Sequence, residues 1–158
     1  LPCKLHLHEI DISTFEIGPF QIKSYYVIHP GPTVGYRVME NSKSFAYIPD
    51  HEPALGIHGL GTDPSWISGY DLAHDVDLLL HDAQYTVTEY AQKKGWGHSS
   101  MEDTLKFAAK AGVKHLLLGH HDPSHSDTAL EEMLADIKIN NTYSFEIELA
   151  REGMEIIL

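Results

Sequence analysis

At 158 residues the chain is the size of one domain and long enough to bury a single hydrophobic core, and no apolar run approaches the ~20 residues of a membrane-spanning helix. Its formal net charge of −12 argues against an extended nucleic-acid backbone footprint, which needs clustered Lys and Arg. The single cysteine, Cys3, excludes an intrachain disulfide framework and fits a reducing compartment, so a cytoplasmic location without a signal peptide is expected.

In chain order, residues 5–9 alternate through His6-Leu7-His8 and read as a half-exposed strand. The pleat puts both histidines on one face, but Glu9-Ile10-Asp11 supplies no convergent ligands, so a metal site there is rejected. Residues 15–17 and 20–28 flank Gly18-Pro19 as a hairpin whose second strand runs into His29. Residues 34–40 and 44–48 pair around Asn41-Ser42-Lys43, and the latter strand leads into Pro49-Asp50-His51-Glu52. A Gly-rich loop over 53–62 precedes Asp63-Pro64. That is an N-cap with proline at the first helical position, and it predicts a helix over 64–74.

Residues 77–80 read as a buried strand ending in His81-Asp82, and 86–94 as a helix. Ser99 and Glu102 form a capping box, Met101, Leu105, Ala108 and Ala109 share a helical face, and Gly112 stops the helix. Residues 113–118 are an apolar run suited to an interior parallel strand, with His120, His121 and Asp122 at its end. Asp127 is expected to cap a helix with Leu130, Met133, Leu134 and Ile137 on its apolar face. Tyr143, Phe145, Ile147 and Leu149 then alternate as a strand, which Arg151-Glu152-Gly153 turns into 154–158. The class is α/β (α+β), a mixed sheet with flanking helices, in one domain.

Four predicted strands thus end in His29, Asp50-His51, His81-Asp82 and His120-His121-Asp122. One such end alone is an ordinary turn former or cap. Four together, in a chain with 12 histidines, fall where open α/β sheets bind ligands, beyond the carboxyl ends of strands. Imidazole and carboxylate are ligands for zinc, manganese or iron, and a dinuclear site needs a carboxylate able to bridge metals ~3.5–4 Å apart.

Five segments carry a family resemblance: Val-Ile-His-Pro-Gly-Pro-Thr-Val-Gly-Tyr-Arg-Val over 27–38, Ala-Tyr-Ile-Pro-Asp over 46–50, Leu-Leu-His-Asp-Ala-Gln-Tyr over 79–85, Gly-His-Ser-Ser over 97–100, and Leu-Leu-Gly-His-His-Asp-Pro over 117–123. In order and spacing they resemble the later motifs of the metallo-β-lactamase-fold hydrolases, and most closely the ribonuclease Z and phosphodiesterase branch. The resemblance implies an αβ/βα sandwich holding two divalent metals, zinc first among them, with His29 on one metal, Asp50 bridging both and His120 on the second. It also implies that His98 contacts the scissile phosphate and gives a proton to the leaving oxygen, with Asp82 orienting that histidine. His51, His121 and Asp122 are then supporting or surface groups, and Trp66 and Trp96 belong to a substrate rim or to the core.

The family's His-x-His-x-Asp-His motif is absent, and residues 6–11 cannot replace it because Ile10 and Asp11 stand in the places of its Asp and last His. The whole of 1–158 therefore reads as one partial domain, the C-terminal portion of the fold, inactive alone. It should expose an apolar sheet face for a missing N-terminal half or a homo-oligomer partner to cover. The expected substrate is a small phosphodiester or cyclic nucleotide, since only 34–48 separates the His29 motif from Asp50 and leaves no room for a long arm that grips transfer RNA. Alternatives are a transfer-RNA 3′-processing endonuclease, a β-lactam or thioester hydrolase, and a non-catalytic interaction or sensor domain. Neither a membrane nor a nucleic-acid partner is otherwise expected.

Overall fold

Left-handed backbone at Gly18 and Asn41 closes two tight turns. They fold the first strands into a meander: β1 (Ser13–Ile17), β2 (Phe20–Tyr26), β3 (Val34–Glu40) and β4 (Lys43–Ile48), each antiparallel to the last. From β4 onward the connections are crossovers. β5 (Leu78–Asp82), β6 (His115–Gly119) and β7 (Glu146–Leu149) therefore add parallel to β4, giving one seven-stranded sheet in sequential order. The computed structural model describes residues 4–56, 59–61, 63–140 and 142–158. Cys3 and part of the 53–62 loop lie outside them.

Among the described residues four α-helices accompany the sheet: α1 (Tyr70–Ala73), α2 (Val87–Lys93), α3 (Met101–Ala111) and α4 (Asp127–Asn140). Ala46, Ile48, Leu79, Leu116, Leu118, Ile147 and Leu149 point to one face of the sheet. There they form a single core with Leu72 of α1, Leu105 and Phe107 of α3, and Leu130, Leu134 and Ile137 of α4. Each such aliphatic or aromatic side chain contributes about 1.5–3 kcal/mol when removed from water. No described helix is long and apolar enough to cross a membrane.

The opposite face is apolar too. Phe45, Tyr47, Leu78, Leu80 and Leu117 lie on it in register, and toward the β1–β2 edge Ile17 and Phe20 are left 60% and 40% exposed. The closing segment follows this face, where Met154 and Ile156 line a hollow with Phe45, Leu78 and Leu117.

The predicted hairpins, the buried strands and the helices after Thr86 and Ser100 are all present. Residues 5–9 are not a strand. They pair with no neighbour, and Leu5 and Leu7 stand 77% and 86% exposed. The helix expected over 64–74 is two short pieces, a 3-10 turn at Pro64–Trp66 capped by Asp63, and α1. They part at Gly69, whose left-handed backbone leaves room for His51, because a Cβ there would sit 2.9 Å from the imidazole Cε1.

Two caps also move by one residue. Ser100 caps α3 by accepting the Asp103 amide at 3.1 Å, and Ser126 takes the capping role expected of Asp127, its Oγ accepting the Ala129 amide at 3.3 Å. The last strand begins at Glu146 instead of Tyr143, and 154–158 form no strand.

Candidate metal and acid–base site

Because β4, β5 and β6 run parallel, the residues that follow them arrive at one sheet edge. Asp50 follows β4, Asp82 closes β5 and His120 follows β6, while His98 sits just ahead of α3. Ligating atoms of Asp50, Asp82, His98 and His120 all lie within 4.8 Å of one another. His29 stands beside this group, its ring edge-on to that of His98 with centroids 5.5 Å apart. Its Nδ1 is held within its own loop, 3.0 Å from Thr33 Oγ1 and 3.3 Å from the Gly31 amide, so Nε2 is the nitrogen left for a ligand.

The two carboxylates differ in kind. Asp82 is fully buried and accepts four hydrogen bonds: Oδ2 from the His51 amide at 3.2 Å and His98 Nδ1 at 2.6 Å, Oδ1 from the Gln84 and Ser99 amides, both at 3.1 Å. That fills the acceptor capacity of a carboxylate, so Asp82 has no lone pair left over for a metal. Its contact places the His98 proton on Nδ1 and raises the His98 pKa, outweighing the opposite pull of burial.

Asp50 is a third exposed and meets His120 Nε2 only at 3.5 Å. His120 itself adopts a left-handed backbone (φ 54°), which turns the chain sharply after Gly119. An unsaturated carboxylate and imidazole at this spacing, with His29 Nε2 beside them bonded to none of the described residues, fit the donor set of a zinc-type cation. Three donors are fewer than two metals need, since a catalytic zinc takes about three protein ligands each.

Beneath the site lies a buried imidazole pair. His81 Nδ1 faces the Asp82 carbonyl at 2.7 Å, so it carries the proton, and its Nε2 accepts from His51 Nδ1 at 2.9 Å. Burial lowers the pKa of both rings, and Phe107 packs on each with centroids 5.4 and 5.0 Å away. His51 is therefore a support inside the core, as is Ser99, whose Oγ donates to the His51 carbonyl at 2.6 Å instead of capping α3.

Asp122 caps its own turn through the Ser124 amide and hydroxyl and meets Lys93 at 3.1 Å, contacts that hold its carboxyl far below the usual range. Trp66 and Trp96 are 71% and 61% exposed, so neither is core. Glu52 carries no motif signal in the sequence, yet it is fully buried and binds the turn that leads to His98.

Residues 3–121 match the family model described as Beta-lactamase superfamily domain. The ribonuclease Z of Streptococcus suis (strain 98HAH33) is 24% identical over an alignment that covers 100% of the chain and 64% of that protein. Among solved structures, the metallo-beta-lactamase fold protein YhfI from Bacillus subtilis superposes with a TM-score of 0.66 at 19% identity, covering 90% of this chain and 51% of that one. A diphosphatase from the PhnP family gives 0.59 at 20% identity over 94% and 47%. The chain thus spans less than two thirds of the length of each of these proteins.

Proposed function

We propose, because this chain belongs to the family of beta-lactamase superfamily domains, that it forms the acid–base half of a metal-dependent phosphodiesterase acting on a small phosphodiester or cyclic nucleotide. The observation that carries this reading is the Asp82–His98 contact of 2.6 Å, set beside the unsaturated Asp50 and His120. The similarity to a ribonuclease and to a diphosphatase supports chemistry at phosphorus.

In this reading His29, Asp50 and His120 hold divalent metal, zinc before manganese or iron, with the remaining ligands supplied by a further segment or a second polypeptide. A metal pair there supplies acidification of water and neutralisation of charge on phosphate oxygens. His98, with Nδ1 committed to Asp82, offers Nε2 to the leaving oxygen. Its raised pKa keeps it protonated to higher pH than a free imidazole, as a general acid requires. A cytoplasmic setting fits the acidic charge and the lone cysteine.

The same site also suits transfer-RNA 3′ processing, a second reading favoured by the similarity to ribonuclease Z along the whole chain. The net charge of −12 is what ranks it behind a small substrate.

The test uses the full-length protein: elemental analysis for metal, then hydrolysis of bis(4-nitrophenyl) phosphate, cyclic nucleotides and a precursor transfer RNA. The expected result is bound divalent metal and turnover of the small diesters, lost roughly 10²–10⁴-fold in His98→Ala with metal retained. Unchanged turnover in that variant overturns the role of His98. Cleavage confined to the transfer RNA moves the assignment to the second reading.

A further inference from the structure

Glu52 lies two residues beyond Asp50 and is wholly inaccessible to solvent. Burying a carboxylate is unfavourable unless donors replace the lost water, and three do. Oε1 accepts from the Tyr90 hydroxyl at 2.9 Å and from the Gly95 amide at 2.7 Å, and Oε2 accepts from the Gly97 amide at 2.7 Å. With both oxygens occupied and no surface exposed, Glu52 is not a candidate ligand. Burial and the neighbouring carboxylate raise the Tyr90 pKa, so the phenol stays a donor.

The position of these contacts gives them meaning. Gly95 and Gly97 both have left-handed backbone, φ 89° and 97°, and the turn they form delivers the chain to His98. The Glu52 amide donates to the Ile28 carbonyl at 2.9 Å, just before His29. One residue therefore ties together the loops that carry His29, Asp50 and His98. The 95–97 turn holds two glycines, whose backbone freedom gives it little stiffness of its own, and the charged acceptor supplies what the turn lacks.

We infer that Glu52 is a positioning residue for His98: by clamping the Gly95 and Gly97 amides it fixes the turn that sets the imidazole against Asp82. Its effect on turnover rests on the phosphodiesterase reading above, while its effect on the loop does not.

The experiment compares the full-length protein with Glu52→Gln, Glu52→Asp and Tyr90→Phe by solution NMR and by turnover of bis(4-nitrophenyl) phosphate. Glutamine keeps the shape but turns a donor toward a donor, whereas Tyr90→Phe leaves the carboxylate and both amide bonds in place. In Glu52→Gln the Gly95 and Gly97 amides should exchange with solvent roughly tenfold faster, and the deshielded His98 Nδ1 proton of the short bond to Asp82 should broaden away. The kcat should fall roughly 10- to 100-fold with KM and metal content within about twofold. Tyr90→Phe, which keeps the charge and both amide bonds, should show a clearly smaller change than Glu52→Gln in each of these readouts.

Retention of the His98 signal and of amide protection in Glu52→Gln overturns the inference. So does a loosened turn with His98 and kcat unchanged, and so does Tyr90→Phe matching the loss seen in Glu52→Gln. Should Glu52→Gln fail to fold by circular dichroism, Glu52→Asp, shorter by one methylene but still charged, is measured in the same way, and the same outcomes support or overturn the inference. If no phosphodiester is hydrolysed at all, the functional reading falls while the amide and His98 signals still decide the role of Glu52.

Discussion

The His98 and His120 imidazoles lie stacked, 14° from parallel with centroids 4.8 Å apart, so the proposed proton donor and a metal donor share one face. Of the two, His98 is backed by a buried carboxylate and His120 by a part-exposed one, and that asymmetry underlies the proposed division of work between two chemically identical side chains.

Replacing Asp82 with Asn tests that division. An amide keeps the size but presents N–H groups to a site where four donors already converge, and His98 loses the partner that fixes its tautomer. Turnover should drop roughly 10²–10⁴-fold, and the His98 pKa, read by NMR titration, should fall back toward that of a free imidazole. An unmoved His98 titration would separate the two residues.

Metal content should follow the other pair. His120→Ala should cost about one metal equivalent in the full-length protein, and Asp50→Ala, which removes the bridging carboxylate, at least as much, measured by elemental analysis after gel filtration. Asp82→Asn should leave the content unchanged, because its carboxylate is already filled by His51, Gln84, His98 and Ser99.

Gly97→Ala should disturb the site from the backbone side. A Cβ at this left-handed position would run into His29 Cδ2 and Pro30 Cδ, adding a steric collision to a conformational cost of about 1–2 kcal/mol. The expected outcome is a lower thermal midpoint together with a loss of activity larger than the stability change explains. A variant with full activity would show that the two loops move apart freely.

Acid should unlock the sheet away from the site. Asp77 accepts from Lys114 Nζ at 2.8 Å and from the Ser44 amide at 2.8 Å, and its pKa falls from the ordinary 3.8 to about 2, chiefly through Lys114. A depressed carboxyl pKa stabilises the folded state fully above the unfolded value, and this contribution is lost as pH falls through the folded value. Asp77→Asn should therefore lower stability by about 1–3 kcal/mol at neutral pH. The gap from the parent should close between about pH 4 and pH 2, as measured by urea unfolding at fixed pH values.

Much of the architecture was legible because local signals and pairing agreed. Gly18-Pro19 and Asn41 marked both turns, and the segments 77–80 and 113–118 marked interior strands. What misled were signals that need a partner elsewhere. The His6-Leu7-His8 alternation has no strand beside it, and the helix over 64–74 is cut at Gly69 to seat His51, which lies well upstream in the chain. Asp50, Asp82, His98 and His120 were picked out through the family resemblance, and the sheet brings them together. Glu52 was not, because a lone acid after His51 looks like any turn residue. Its meaning comes from amides more than forty positions away.

The unbroken strand order has a consequence for biosynthesis. Each strand from β2 to β7 pairs with the one made just before it, so a ribosome can release a sheet that lengthens at a single growing edge, never waiting for a distant strand to be translated. Asp50, Asp82 and His120 emerge in the same succession, and the His98 loop appears after the strand that must receive it. In the proposed reading this part of the site is laid down in chain order, with His120 arriving last as β6 docks.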